Sequence, residues 1–276
     1  MTSLATPTPT TRRTLDRARR FLSGTGAFWF IAALIGQAIF ALYIFVAFWF
    51  SAARGDWDFW NRHLFTGIRQ GDLLGNALVV LHLTLALIIT ISGPLQLIPA
   101  LRQRMRAFHR WNGRAYMMVA IIISIGAIGI FLLRPAFGGP MNAALQSVNG
   151  LAILLCAGLA WRAAIGRDYA SRRRWATRLF LMVSGVWFLR VMMIAWAIPT
   201  GGLGLGDALD GPVGRAAMLG QTIIPLAVYQ LYLMAEASRS APAKYLMGGA
   251  LILLTAVMAA GILGVSLVMW LPTILG

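Results

Sequence analysis

Seven stretches of roughly twenty mostly apolar residues constrain this chain more than any other feature, because that is the length of helix needed to cross the hydrocarbon of a bilayer. They run over 27–50, 76–97, 115–133, 144–164, 179–198, 216–234 and 245–271. With 59% of residues hydrophobic and 12% charged, a soluble enzyme is excluded, since soluble domains carry roughly twice that charge. The reading is therefore all-α: an integral membrane bundle of seven transmembrane helices. One transmembrane domain over 25–276 follows a basic cytoplasmic tail over 1–24 that is partly disordered, being disordered at its start and helical near the membrane. The first apolar run is too long for a signal-peptide core and has no small-residue cleavage site after it, so it reads as an uncleaved span.

The net charge of +16 would point to nucleic acid in a soluble protein. Here the arginines cluster between apolar runs, which is how cytoplasmic loops are marked. With the N-terminus in the cytoplasm, eighteen basic residues fall inside: those of the tail, of 102–114 and of 162–178, with Arg239 and Lys244. Five fall outside, at Arg54, Arg62, Arg69, Arg134 and Arg215, and Arg190 lies within a span. The N-terminus is accordingly read as cytoplasmic and the C-terminus as periplasmic, in a bacterial inner membrane crossed many times. Anionic lipid of the inner leaflet is the expected partner, and nucleic acid is not. The loop 51–75 carries Trp57, Phe59, Trp60 and Phe65. It reads as an amphipathic segment on the outer surface, or as a lid over an outer cavity.

Polar groups within the hydrocarbon are costly and mark candidate sites. They are Gln37, His82, Arg190 and Gln221, with Asn142, Gln146 and Asn149 forming one helical stripe at i, i+4, i+7. At 1.5 Å per residue, His82, Arg190 and Gln221 lie roughly 8–12 Å in from the outer face. A shared depth allows two readings. In one, His82, Arg190, Gln221, Gln146 and Asn149 line an outward-opening polar cavity for a small lipid-like or quinone-like ligand. In the other, Arg190 bonds a helix end or Asp207 and locks two helices. Gly93 and Gln96 share a face with His82, and Pro94 is expected to kink that helix.

A second cluster lies at the inner face. AFHRWNGRAY and SRRRWATR bring together His109, Arg110, Arg114, Tyr116, Arg172 and Arg178. Such a basic rim suits an anionic headgroup, a haem propionate or a phosphate, and it serves equally as a topology anchor. GGLGLGD at 201–207 has no strand before it and is not a nucleotide loop. Cys156 is alone, so neither a disulfide nor a CxxC motif can form. With three histidines and one cysteine, no structural metal site is expected.

The run LHLTLALIITISGPLQLIPALRQRMRAFHRWNGRAY resembles a bacterial family of polytopic membrane proteins, domain of unknown function 2306. GPLQ at 93–96, the segment 109–116, Trp175, Arg178 and Arg190 carry the resemblance, which covers roughly 75–240. Arg172 stands where the family pattern has His. The resemblance implies a membrane bundle, and the family's name carries no activity. The histidines are also faintly similar to cytochrome b-561 type proteins, whose b haems take paired axial histidines. His82 and His109 lie near opposite faces, so one haem b would find at most one of them as ligand. The functional expectation is a binding or accessory membrane protein rather than an enzyme. The alternatives are a b-type cytochrome-like membrane oxidoreductase and a transporter, the latter without the internal repeat such proteins show.

Overall fold

A computed structural model describes residues 9–64, 67–133 and 138–275. The first eight residues of the tail, whose start is expected to be disordered, Phe65 of the loop and Arg134 of the outer count lie outside these residues. Among the described residues there is no strand. The long elements are α1 (Pro9–Ile44), α4 (Leu73–Leu97), α6 (Arg106–Leu133), α7 (Gly139–Ile165), α8 (Tyr169–Val183), α9 (Gly185–Thr200), α10 (Pro212–Ala237) and α11 (Ala241–Val265). Short pieces join them: α2 (Ser51–Ala53), α3 (Asp58–His63), α5 (Pro99–Arg104) and α12 (Leu271–Leu275). Wide π-helical turns at Phe45–Phe50 and Ser266–Trp270 continue α1 into α2 and α11 into α12.

Among the described residues six helices are long and apolar enough to span a membrane, and α8 with α9 makes a seventh if that pair, bent by 55°, counts as one span. The sequence read 179–198 as one continuous helix. The structure breaks it at Ser184, which caps the end of α8 and the start of α9. The adjacent Ser184 and Gly185 are the kind of small pair at which helices bend. Elsewhere the ends follow local chemistry. Asp72 accepts from Gly75 N at 2.8 Å and Asp168 from Ser171 N at 2.9 Å, each filling a donor that a helix start leaves open. Gly201, at φ 65°, ends α9 in the left-handed conformation that glycine adopts without strain. α4 runs on through Pro94 to Leu97.

The helices pack as a closed set. α1 lies along α11 and touches α4; α4 packs on α6, α6 on α7, and α7 on α8 and α10; α9 packs on α10 and α11. Apolar side chains fill the middle, among them Tyr43, Leu179, Met182, Trp187, Val265 and Trp270. Long outward faces, such as Leu246, Leu253 and Leu263 of α11, stay exposed, as lipid contact requires. α1 is helical from Pro9, through the tail arginines, and buries Leu22 against Ala235, Met247 and Leu251. The loop after α1 is anchored rather than laid flat. Trp60 is wholly buried, donates its indole N–H to Phe48 O at 2.9 Å and meets the Phe48 ring edge-on at 5.8 Å.

Candidate functional site

The polar stripe of α7 is bonded to its neighbouring helices. Asn142 Nδ2 donates to Ala208 O at 2.8 Å. Gln221 Nε2 of α10 donates to Gln146 Oε1 at 2.7 Å and to Met218 O at 2.9 Å. Asn149 Nδ2 donates to Met182 O at 3.2 Å and to Thr222 Oγ1 at 3.1 Å. From α1, Gln37 Nε2 reaches Ser184 Oγ at 2.8 Å. Asn149 and Gln37 thus converge on the break between α8 and α9 from two sides. Hydrogen bonds between membrane helices contribute about 0.6 kcal/mol each on average, and here they hold one bent geometry.

Of the five residues expected to line an outer cavity, the structure joins Gln146 to Gln221 and sets Asn149 one helical turn along. His82 and Arg190 stand elsewhere. Arg190 Nη1 bonds Val186 O of its own helix at 3.3 Å, and its guanidinium lies 5.4 Å from the centre of the Phe40 ring on α1. No hydrogen bond or ion pair joins it to His82, Gln146, Asn149, Gln221 or Asp207. The guanidinium thus rests on an aromatic face of α1 and on a carbonyl of its own helix, and bonds neither Asp207 nor another helix's end. His82 is half-buried on α4, and its Nδ1 has no hydrogen-bond partner.

The inner motif is a clasp between α4 and α6. Gln96 Nε2 donates to His109 O at 3.3 Å, and Asn112 Nδ2 donates to Ser92 O at 3.0 Å. Gly93 lies flat against the Tyr116 ring, where a β-carbon would come within 3.0 Å. Tyr116 is buried behind that contact, away from the arginines. At the helix ends His109 lies within electrostatic reach of Arg172 and Arg102. Arg178 donates to Gln230 Oε1 at 2.8 Å and stands over the rings of Trp175 and Tyr229. Arg114 stands over Trp111. Arg110 stays exposed. Gln96, level with His109 in the clasp, follows His82 by 14 residues, so the two histidines are roughly 21 Å apart along the bundle axis at 1.5 Å per residue, too far to share an iron.

A cavity of about 540 Å³ lies among α1, α8, α9, α10 and α11, within the size range of small-molecule pockets. It reaches the end of the bundle where α8 begins and α10 stops, which is the basic end and opposite to the opening expected from the polar stripe. Its lining is graded. Ser23, Arg173, Arg174, Thr177, Tyr232 and Glu236 gather at the basic end. Farther in, the walls are apolar, with Phe188, Val191 and Ala195 facing Leu251 and Met258. Trp29 stacks on Phe188 at 6.4 Å along one side. Ile224, Leu254 and Val257 line the cavity and remain exposed on the bundle's flank, so it also opens sideways. Sequence reasoning noticed Arg173 and Arg174 only as members of a cluster and missed Tyr232 and Glu236. One signal was present, because Glu236 is the sole glutamate in the chain and stands in a basic segment.

Outside the spans, the carboxyl of Asp168 is held below its ordinary range, chiefly by the backbone N–H of Ser171.

No curated protein and no solved structure matches the chain. The model of a family described as predicted membrane protein (DUF2306) matches residues 79–233, more than half of the chain. That segment holds the α4–α6 clasp, the bent pair and its polar braces from α7 and α10. The chain belongs to this family of membrane proteins of unknown function.

Proposed function

We propose that the chain is a binding or accessory protein of the bacterial inner membrane that holds one small lipid-like or quinone-like amphiphile in the cavity among α1 and α8–α11. The observation that carries this reading is the graded lining, polar and charged at one end and apolar along the rest. Such a gradient matches a molecule with a polar head and a long apolar chain, and the opening on the flank gives it a path from the bilayer. The basic end is taken as cytoplasmic, because its arginines satisfy the positive-inside bias, which places the C-terminus in the periplasm. Residues 1–24 are taken as a basic tail on one domain over 25–276, resting on the anionic leaflet.

The test is extraction of the purified full chain after mild detergent solubilisation, with mass spectrometry of what it retains. One amphiphile per chain is expected. Val228→Trp, which places an indole in the cavity, should release it without unfolding the protein. Equal retention by the two proteins would overturn the cavity as the site.

A further inference from the structure

We infer that the polar end of the cavity is built for a zwitterionic phospholipid headgroup, a phosphate diester joined to an ammonium group; the inference rests on the cavity being an amphiphile site. Two cations and one anion share this mouth. Arg173 and Arg174 project from the first turns of α8 and are exposed, and Glu236 comes from the last turn of α10. Among the described residues the Arg173 guanidinium makes no hydrogen bond or ion pair. Among the described residues the Arg174 guanidinium bonds the Ser171 hydroxyl, at 3.2 Å. Ion pairs elsewhere join Arg19 to Asp16 and Arg62 to Asp56.

Glu236 keeps its carboxylate free of both arginines. Its backbone carbonyl takes Lys244 Nζ at 2.7 Å, and the same ammonium takes Ala235 O at 2.7 Å. Lys244 therefore bonds the carbonyls at the end of α10; the Glu236 charge acts on it, but among the described residues no ion pair closes between the two. Glu236 and Arg173 both act on the Tyr232 hydroxyl, so opposite charges face one opening without closing on each other.

Each headgroup class meets this mouth differently. A neutral quinone leaves both arginines and the glutamate unmatched. A purely anionic headgroup satisfies the arginines and sets a second negative charge beside Glu236. A phosphate with a tethered ammonium matches both signs: guanidinium forks suit phosphate oxygens, and the carboxylate receives the amine. Ser23, Thr177 and Tyr232 add hydroxyls to the same lining. Behind them the walls continue from Phe180 on α8 to Ala195 on α9. At 1.5 Å per residue this is roughly 22 Å of bent helix, against roughly 15 Å for one leaflet of hydrocarbon, so an acyl chain has room.

The experiment uses the full chain, delipidated in detergent. Phosphatidylethanolamine and phosphatidylglycerol of identical chains, and a short-chain quinone, are added back in competition, and bound species are read by native mass spectrometry. The expected result is a preference for phosphatidylethanolamine of about tenfold, the weight of one charge-assisted contact. Glu236→Gln should bring the two phospholipids to parity while total binding persists. Arg173→Gln combined with Arg174→Gln should weaken both. If Glu236→Gln does not fold, Glu236→Asp takes its place and should lower the preference partway. Parity in the unaltered protein, an unchanged preference in the Glu236 variants, or displacement by the quinone would overturn the headgroup assignment and leave the amphiphile site standing. Binding of every probe no better than to Val228→Trp would overturn the amphiphile site itself.

Discussion

The Asn149 side chain occupies the space in which any side chain at Gly185 would begin: a β-carbon at position 185 would stand 2.7 Å from Asn149 Nδ2. The same amide reaches Met182 O and Thr222 Oγ1. One residue of α7 therefore ties the end of α8 to α10 and needs a glycine opposite to do so.

Gly185→Ala should accordingly destabilise the bundle. The added methyl forces Asn149 out of its hydrogen bonds or pushes α7 from the bend, at a cost of about 1–3 kcal/mol, the usual range for overpacking. Thermal unfolding in detergent measures it. Asn149→Ala should relieve part of that loss in the double variant, because the clash partner is gone. Strictly additive losses would show that the two residues act apart.

Among the described residues Arg190 makes one hydrogen bond, to its own helix, and rests on Phe40. Arg190→Leu should therefore insert normally and leave amphiphile retention unchanged. Its unfolding temperature should stay level or rise, as happens when an expensive membrane charge is replaced by an apolar side chain. Loss of the bound amphiphile in this variant would return Arg190 to the binding site.

Orientation is checked by fusions. A reporter active only in the periplasm should work when fused after Gly276 and stay silent within 102–106. Activity at both positions would contradict the bent pair's counting as one span, and the reverse pattern would invert the molecule.

Asp168 caps α8, and its carboxylate is stabilised in the folded chain by the Ser171 N–H. Because the folded-state pKa lies below the unfolded one, the cap supports the fold above the ordinary carboxylate range. That support is lost as pH falls through the lowered value. Asp168→Asn should remove this part of the acid-side decline in unfolding temperature while changing little near neutrality. A pH profile identical to that of the parent would show that the cap carries no linkage.

The spans were legible because length and polarity alone decide them. The bend was not, since the apolar run passes unbroken through Ser184 and Gly185, and only the small pair hinted at it. Position along the helices was legible too, and the structure bonds Gln146 to Gln221 and Asn149 to the adjacent Thr222. Depth fixes a position along the axis and says nothing of direction around it. Arg190 follows Gly185 by five residues, which at about 100° each turns it roughly 140° from the face that meets Asn149, toward α1. The cavity was hidden for a related reason: leucines and phenylalanines that line it have the same pattern as those that face lipid.

The mutual packing of α1 and α11 sets an order of events. Chains are made from the N-terminus onward, so the first span enters the membrane with its main partner still unsynthesised. Ser23, Trp29 and Phe30 on one wall wait for Leu251 and Met258 on the other. Both walls also lie outside the segment 79–233 that defines the family. The enclosure is thus a late product of biogenesis, sealed only when α11 arrives, and a chain halted after α10 would present the same groove as an open flank to the surrounding lipid.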